Sequence, residues 1–201
     1  LLDFNLKNLI IDGPEEKLNN TRYTQPAIFT VSYVLNKILR NNEIKPEITA
    51  GHSLGEYSAL GAVNSFSFED GLKLVRKRGI LMDEAVPEGQ GAMAALIGMD
   101  KKQVESLCTE IEGVLEIANY NTPNQIVISG ENEAIESGLK LAEEMGARKT
   151  IKLNVSGPFH SSLMKPVQTK LQKEIENTNL NNAEIPMIAN VTAEKITSAE
   201  A

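Results

Sequence analysis

At 201 residues, 41% hydrophobic and 23% charged, the chain can bury a sizeable core without disulfides or metal. Its net charge of −7 argues against non-specific nucleic-acid binding, because phosphate contacts need a basic excess. The single cysteine, Cys108, excludes an internal disulfide and fits a reducing compartment, and no apolar run reaches membrane-spanning length. Leu1 to Lys7 lack the charged and apolar order of a signal peptide, so the cytoplasm is the expected location. The chain opens on Leu1 without a methionine and stops on Ser198-Ala199-Glu200-Ala201 without a terminal element, and is expected to be a fragment.

In chain order, Thr24-Gln25-Pro26 opens a helix, with proline in the first turn where its missing N–H costs nothing. Ile28, Val31, Val34, Leu35, Ile38 and Leu39 form an apolar stripe on that helix, expected in the core. Pro46 to Ala50 is partly β-branched and reads as a short buried strand, and Glu56 to Ala62 reads as a helix. Ser67-Phe68-Glu69-Asp70 is a capping-box variant that leads another helix through Leu72, Val75 and Met82 to a stop at Pro87-Glu88-Gly89. That helix carries Lys73, Arg76, Lys77 and Arg78; the two lysines share a face that is either solvated or suited to an acidic partner.

From Gly91 to about Leu153 the pattern becomes a regular alternation. Ala92–Gly98 reads as strand, the Asp100-capped segment to Ile111 as helix, and Val114–Asn119 and Gln125–Ser129 as strands. Glu131–Met145 then reads as helix and Arg148–Leu153 as strand. This β-α-β-β-α-β order is the split βαβ, ferredoxin-like unit. The expectation is therefore an α/β protein in which a small domain, 90–156, is inserted into a larger one, 1–89 and 157–201. A helix from Leu163 to about Asn177 and a strand at Ile185–Asn190 follow.

The most informative motif lies between the first strand and its helix: Ala50-Gly51-His52-Ser53-Leu54-Gly55-Glu56-Tyr57-Ser58. Gly51-x-Ser53-x-Gly55 after a strand and before a helix nominates Ser53 as a nucleophile on a sharp turn, at a helix N-terminus able to receive an oxyanion. The alternative is a structural glycine-rich turn. Of the two histidines, His52 adjoins the serine and its side chain points elsewhere. His160, in the irregular Gly157-Pro158-Phe159-His160-Ser161-Ser162 segment, is the candidate base.

These motifs, together with Thr24-Gln25-Pro26-Ala27, Arg78-Gly79, Glu84-Ala85-Val86-Pro87, Gly91-Ala92-Met93-Ala94-Ala95 and His160-Ser161-Ser162-Leu163-Met164-Lys165-Pro166, resemble the malonyl-CoA:acyl carrier protein transacylases of bacterial fatty-acid synthesis. The resemblance covers essentially the whole chain. It implies an α/β-hydrolase-like large subdomain carrying the ferredoxin-like one, and ping-pong transfer of malonyl from malonyl-CoA to acyl carrier protein through Ser53, with His160 as base. It implies further that the Leu54 N–H is an oxyanion donor and that Arg78, rather than Arg76, pairs with the malonyl carboxylate.

The same resemblance gives Leu54 and Phe159 a role in selecting malonyl over methylmalonyl. It also places Asn119 and Asn121 in a loop near the cleft, where turn formation is an equal reading. No metal or cofactor beyond the coenzyme A thioester is implied, and a monomer is expected. The family's first strand, with a Gly-Gln-Gly segment that supplies a second oxyanion donor, and its later histidine-orienting segment are expected outside residues 1–201. A serine thioesterase or hydrolase, and an inert truncated form, are the rival readings.

Overall fold

The computed structural model describes residues 2–87 and 89–200. Leu1, Glu88 and Ala201, which enter the readings of the amino end, the Pro87-Glu88-Gly89 stop and the carboxyl end, lie outside them. The chain is mixed α/β and divides into two compact units, one of residues 1–18, 22–80 and 171–201, the other of 19–21 and 81–170. No helix among the described residues is long and apolar enough to cross a membrane.

In the first unit, α1 (Leu6–Asp12) and α2 (Glu15–Asn19) precede the long α3 (Thr21–Asn41). Helix α3 starts earlier than expected, so Pro26 lies inside it. A proline there cannot donate to the carbonyl four residues back. That carbonyl, on Arg22, accepts instead from Arg76 Nη1 at 2.8 Å. Arg76 also pairs with Asp3 at 3.0 Å and stacks over Phe4 and Tyr23, so its charge is spent on structure.

The apolar stripe of α3 corrects the sequence reading. Ile28, Val31, Val34, Leu35, Ile38 and Leu39 are 41–54% exposed, not core. The face of α3 used by this unit carries Gln25, Pro26 and Phe29, with Phe29 against Tyr33, Phe66 and Phe68 at ring distances of 5.9–6.2 Å. Beside the open stripe runs an apolar groove of about 730 Å³ lined by Leu2, Leu6, Ile10, Val31, Val34 and Phe68.

The expected buried strand at Pro46–Ala50 shortens to β1 (Thr49–Ala50), and Ile48 before it is exposed. Strand β1 leads into α4 (Leu54–Ala62), and α5 follows (Phe68–Asp83), with Ser67 Oγ accepting from the Asp70 N–H as its cap. Near the end of the chain β6 (Met187–Ile188) lies parallel to β1, in register Thr49↔Met187 and Ala50↔Ile188. Strand β7 (Lys195–Ile196) lies antiparallel to β6. The expected strand at Ile185–Asn190 is thus reduced to two residues, and a terminal strand appears that the sequence reading omitted.

The second unit is built on a four-stranded antiparallel sheet of order β3-β4-β2-β5. Its elements are β2 (Gly91–Ile97), α6 (Lys101–Glu110), β3 (Leu115–Thr122), β4 (Gln125–Glu131), α7 (Asn132–Glu144) and β5 (Lys149–Lys152). Asp100 and Gln103 form a reciprocal capping box at 2.9 Å on α6. Ala94, Leu96, Ile126 and Ile128 of the sheet pack with Val104, Leu107 and Ile135 of the helices into a fully buried core. After this unit's sheet come a short 3-10 turn (Ser162–Met164) and α8 (Lys165–Glu176), close to the helix expected there.

Candidate active site

The backbone at Ser53 has φ 52° and ψ −104°, between β1 and the first residue of α4. A serine at positive φ costs about 1–3 kcal/mol and persists only where its surroundings impose it. Gly51 is one reason it can: a Cβ there would lie 1.9 Å from the Gly55 carbonyl, so the chain can double back only on a bare Cα. A Cβ on Gly55 meets nothing within 4 Å, so the second glycine of the motif serves as the wall, not as the conformational need. The Gly55 N–H donates to His52 O at 2.8 Å and the Glu56 N–H to Ser53 O at 3.1 Å, closing the turn. Leu54, buried, begins the helix, and its N–H points no bond at any backbone carbonyl among the described residues.

Arg78, on α5, reaches the elbow from the same unit. It is 8% exposed. One guanidinium nitrogen donates to Gln25 Oε1 at 2.7 Å and the other to Ser53 Oγ at 3.0 Å. Its guanidinium also lies over the Tyr57 ring at 5.4 Å. Among the described residues no carboxylate lies within ion-pair distance of it. Burial pulls its pKa below the ordinary guanidinium range, with the Tyr57 and Glu56 side chains opposing. Burial likewise pushes the Tyr57 hydroxyl upward, partly offset by Arg78. Arginine keeps its proton in proteins, so the site holds a fixed, desolvated positive charge against the serine.

Such a charge is costly to bury without an anion. The neighbouring lysines serve elsewhere: Lys77 pairs with Glu174 at 3.3 Å and Lys73 approaches Asp70 at 3.9 Å. Their expected shared face is solvated and carries these two pairs.

The second unit presents the other nominated residues. His160 is exposed and has φ 62°. The turn around it is held by Ser161 Oγ, which donates to Pro158 O at 2.7 Å, and by the Ser162 N–H, which donates to Glu116 Oε2. Phe159, just before it, is buried. Glu116 lies on β3, the strand that also carries Asn119, half-buried, and Asn121, exposed. Asn119 ends the strand expected there, while Asn121, expected in a loop, is corrected to the same strand, which runs on to Thr122 with register shifts at Ile117/Asn119 and Tyr120/Thr122; such bulges re-aim side chains. Ser53, Leu54 and Arg78 thus come together in one unit, and Phe159, His160 and the β3 asparagines belong to the other.

Two members of the elbow's surroundings received no role from the sequence. Gln25, inside the quoted Thr24-Gln25-Pro26-Ala27 motif, holds Arg78. Asn190 hydrogen-bonds the elbow from the end of β6. Cys108, given no chemistry by the sequence, agrees with that reading: burial and Glu116 push its thiol up to about 11.

A model of the acyl transferase domain matches residues 1–201. The chain belongs to the acyl transferase domain family. A curated malonyl CoA-acyl carrier protein transacylase of Bacillus subtilis (strain 168) is 47% identical over 199 residues, 98% of this chain and 63% of the relative. The transacylase structure from Coxiella burnetii superposes with a TM-score of 0.95 at 38% identity, over 98% of this chain and 63% of that one. A malonyl-transacylase solved in complex with its type II polyketide acyl-carrier protein gives 0.95 at 39% identity, over 98% and 65%. This acyl transferase domain chain therefore spans just under two thirds of the length of those relatives.

Proposed function

We propose that the chain forms the acyl-serine site of an [acyl-carrier-protein] S-malonyltransferase, which moves malonyl from malonyl-CoA to the phosphopantetheine thiol of acyl carrier protein. The observation that carries this reading is the Arg78–Ser53 pair, a buried guanidinium without a carboxylate partner 3.0 Å from the nucleophile's oxygen. A malonyl group on Ser53 ends in a carboxylate one methylene beyond its acyl carbon, within reach of that guanidinium. The planar fork suits a carboxylate, and Gln25 holds it in place before substrate arrives. A simple lipid ester would leave the buried charge unmatched. The names of the relatives point the same way.

In the proposed reaction, Ser53 Oγ attacks the thioester carbonyl while His160 takes its proton. The Leu54 N–H, at the positive end of α4, receives the developing oxyanion. The tetrahedral intermediate expels the coenzyme A thiolate, which takes the proton from His160, and malonyl-Ser53 remains. The phosphopantetheine thiol then gives its proton to His160 and attacks the ester; Ser53 leaves and recovers that proton. The coenzyme A thioester is a substrate, and no cofactor takes part.

Leu54 after the serine and Phe159 before the histidine fit the malonyl-selecting pattern, in which the aromatic side chain crowds an α-methyl group and favours malonyl over methylmalonyl by about 1–3 kcal/mol for one methyl. Asn119 and Asn121 add polar groups for the thioester. The strand order β3-β4-β2-β5 supports reading residues 90–156 as a ferredoxin-like subdomain. The strand-elbow-helix segment supports an α/β-hydrolase-like one for 1–89 and 157–201.

Intact-mass measurement of the full-length protein after malonyl-CoA tests the reading. A malonyl adduct absent from Ser53→Ala and discharged by acyl carrier protein supports it. An adduct lost to water at the same rate without the carrier supports the hydrolase, and no adduct at all supports an inert protein.

A further inference from the structure

We infer that Asn190 is a positioning residue for the nucleophile: its carboxamide, bridging the Ser53 N–H and the Gly51 carbonyl, holds Ser53 in the conformation that presents its hydroxyl. The inference rests on the acyl-serine reading of Ser53.

Three hydrogen bonds join Asn190 to the elbow. The Ser53 N–H donates to Asn190 Oδ1 at 2.8 Å, Asn190 Nδ2 donates to Gly51 O at 2.5 Å, and the Asn190 N–H donates to Glu56 Oε1 at 2.8 Å. The first two span the peptides on either side of His52, so one planar amide fixes the path of the chain into Ser53. The third anchors Asn190 to the first turn of α4, the helix that the elbow begins. Asn190 is itself positioned by β6, paired with β1 immediately before the elbow, and by the turn in which the Ala193 N–H donates to Ala189 O at 2.9 Å. Two-residue strands give little rigidity by themselves. The amide bridge ties their ends.

The pairing also sorts the backbone donors at the site. With the Ser53 N–H committed to Asn190, the Leu54 N–H is the donor left for an oxyanion. Asparagine is the side chain this bridge requires, since one end must accept from an N–H and the other must donate to a carbonyl. An aspartate of the same shape would set a second carboxylate oxygen against Gly51 O.

The test labels Ser53 of the full-length protein with a fluorophosphonate, which reads the nucleophile without depending on malonyl as substrate, and follows malonyl transfer in parallel. Asn190→Ala and Asn190→Asp are compared with wild type, with thermal melting to confirm folding. We expect both variants to label about 100-fold more slowly, with kcat falling by a similar factor, KM within about twofold and a near-normal melting temperature, since small misplacement of a reacting group costs on this order.

Labelling of both variants at the wild-type rate overturns the role of Asn190 and leaves the acyl-serine reading standing. A normal rate for Asn190→Asp alone overturns it too, because volume and not the amide bridge would then suffice. If Asn190→Ala does not fold, Asn190→Asp decides by the same criterion. A wild-type Ser53 that takes no label removes the acyl-serine reading, and the role of Asn190 with it.

Discussion

Helices α3 and α7 both carry an apolar stripe at helical spacing, yet they use it in opposite ways. Helix α7 buries Ala134, Ile135, Gly138 and Ala142 against its own sheet. Helix α3 turns Ile28, Val31, Val34, Leu35, Ile38 and Leu39 outward and packs its own unit with a mixed face that includes Gln25 and Phe29. The difference follows from what each unit contains. Among the described residues, the second has four paired strands and a closed core; the first has three strands of two residues each and carries the strained serine and the buried arginine. The first unit lacks an extended sheet, and the strain at Ser53 is held by local hydrogen bonds more than by strand pairing.

That contrast can be broken in steps. Ser53→Ala removes the proposed nucleophile and should abolish the malonyl adduct, with transfer falling by about 10⁴–10⁶; intact mass and a carrier-protein assay read both. Gly51→Ala forces a Cβ into the Gly55 carbonyl and should slow fluorophosphonate labelling of Ser53 about 100-fold. Gly55→Ala meets open space in α4, should label normally and should gain about 0.5–1 kcal/mol of stability.

In the closed unit, Cys108 with its thiol at about 11 should react with iodoacetamide at pH 8 about 100-fold more slowly than an ordinary cysteine, because only thiolate reacts. In the same core, Ile128→Ala should cost about 2–5 kcal/mol in denaturant unfolding. Leu35→Ala, on the open face of α3 and 54% exposed, should change the 201-residue chain's stability by less than about 0.5 kcal/mol.

The sequence spelled out what is locally encoded. Asp100 caps its helix and Ser67 caps another, and the strands of the second unit alternate or run apolar within one to three residues of where they form. Gly51, Ser53 and Leu54 are adjacent in the chain, so the elbow was visible as a motif. What remained hidden depends on distant partners. A stripe such as that of α3 says that a face is apolar, not that these residues cover it. Pro26 read as a helix start because nothing local says that Arg76 will accept the role of donor to the Arg22 carbonyl. Asn190 lies at the end of a two-residue strand, and only the pairing of β6 with β1 brings it to Ser53. Asn121 looked like part of a loop because Asn121-Thr122-Pro123-Asn124 is rich in turn residues, whereas pairing with β4 carries the strand on to Thr122.

The claim at the centre is that Arg78 ties the substrate's carboxylate to the nucleophile Ser53. It is tested most directly by single-turnover acylation with malonyl-CoA and acetyl-CoA in the full-length wild type and in Arg78→Ala. Wild type should prefer malonyl, and the variant should lose about 10–100-fold in malonyl acylation, as expected for a charge-assisted hydrogen-bonded pair, while acetyl acylation holds or rises, so that the preference collapses. A variant that keeps the wild-type preference for malonyl would contradict it.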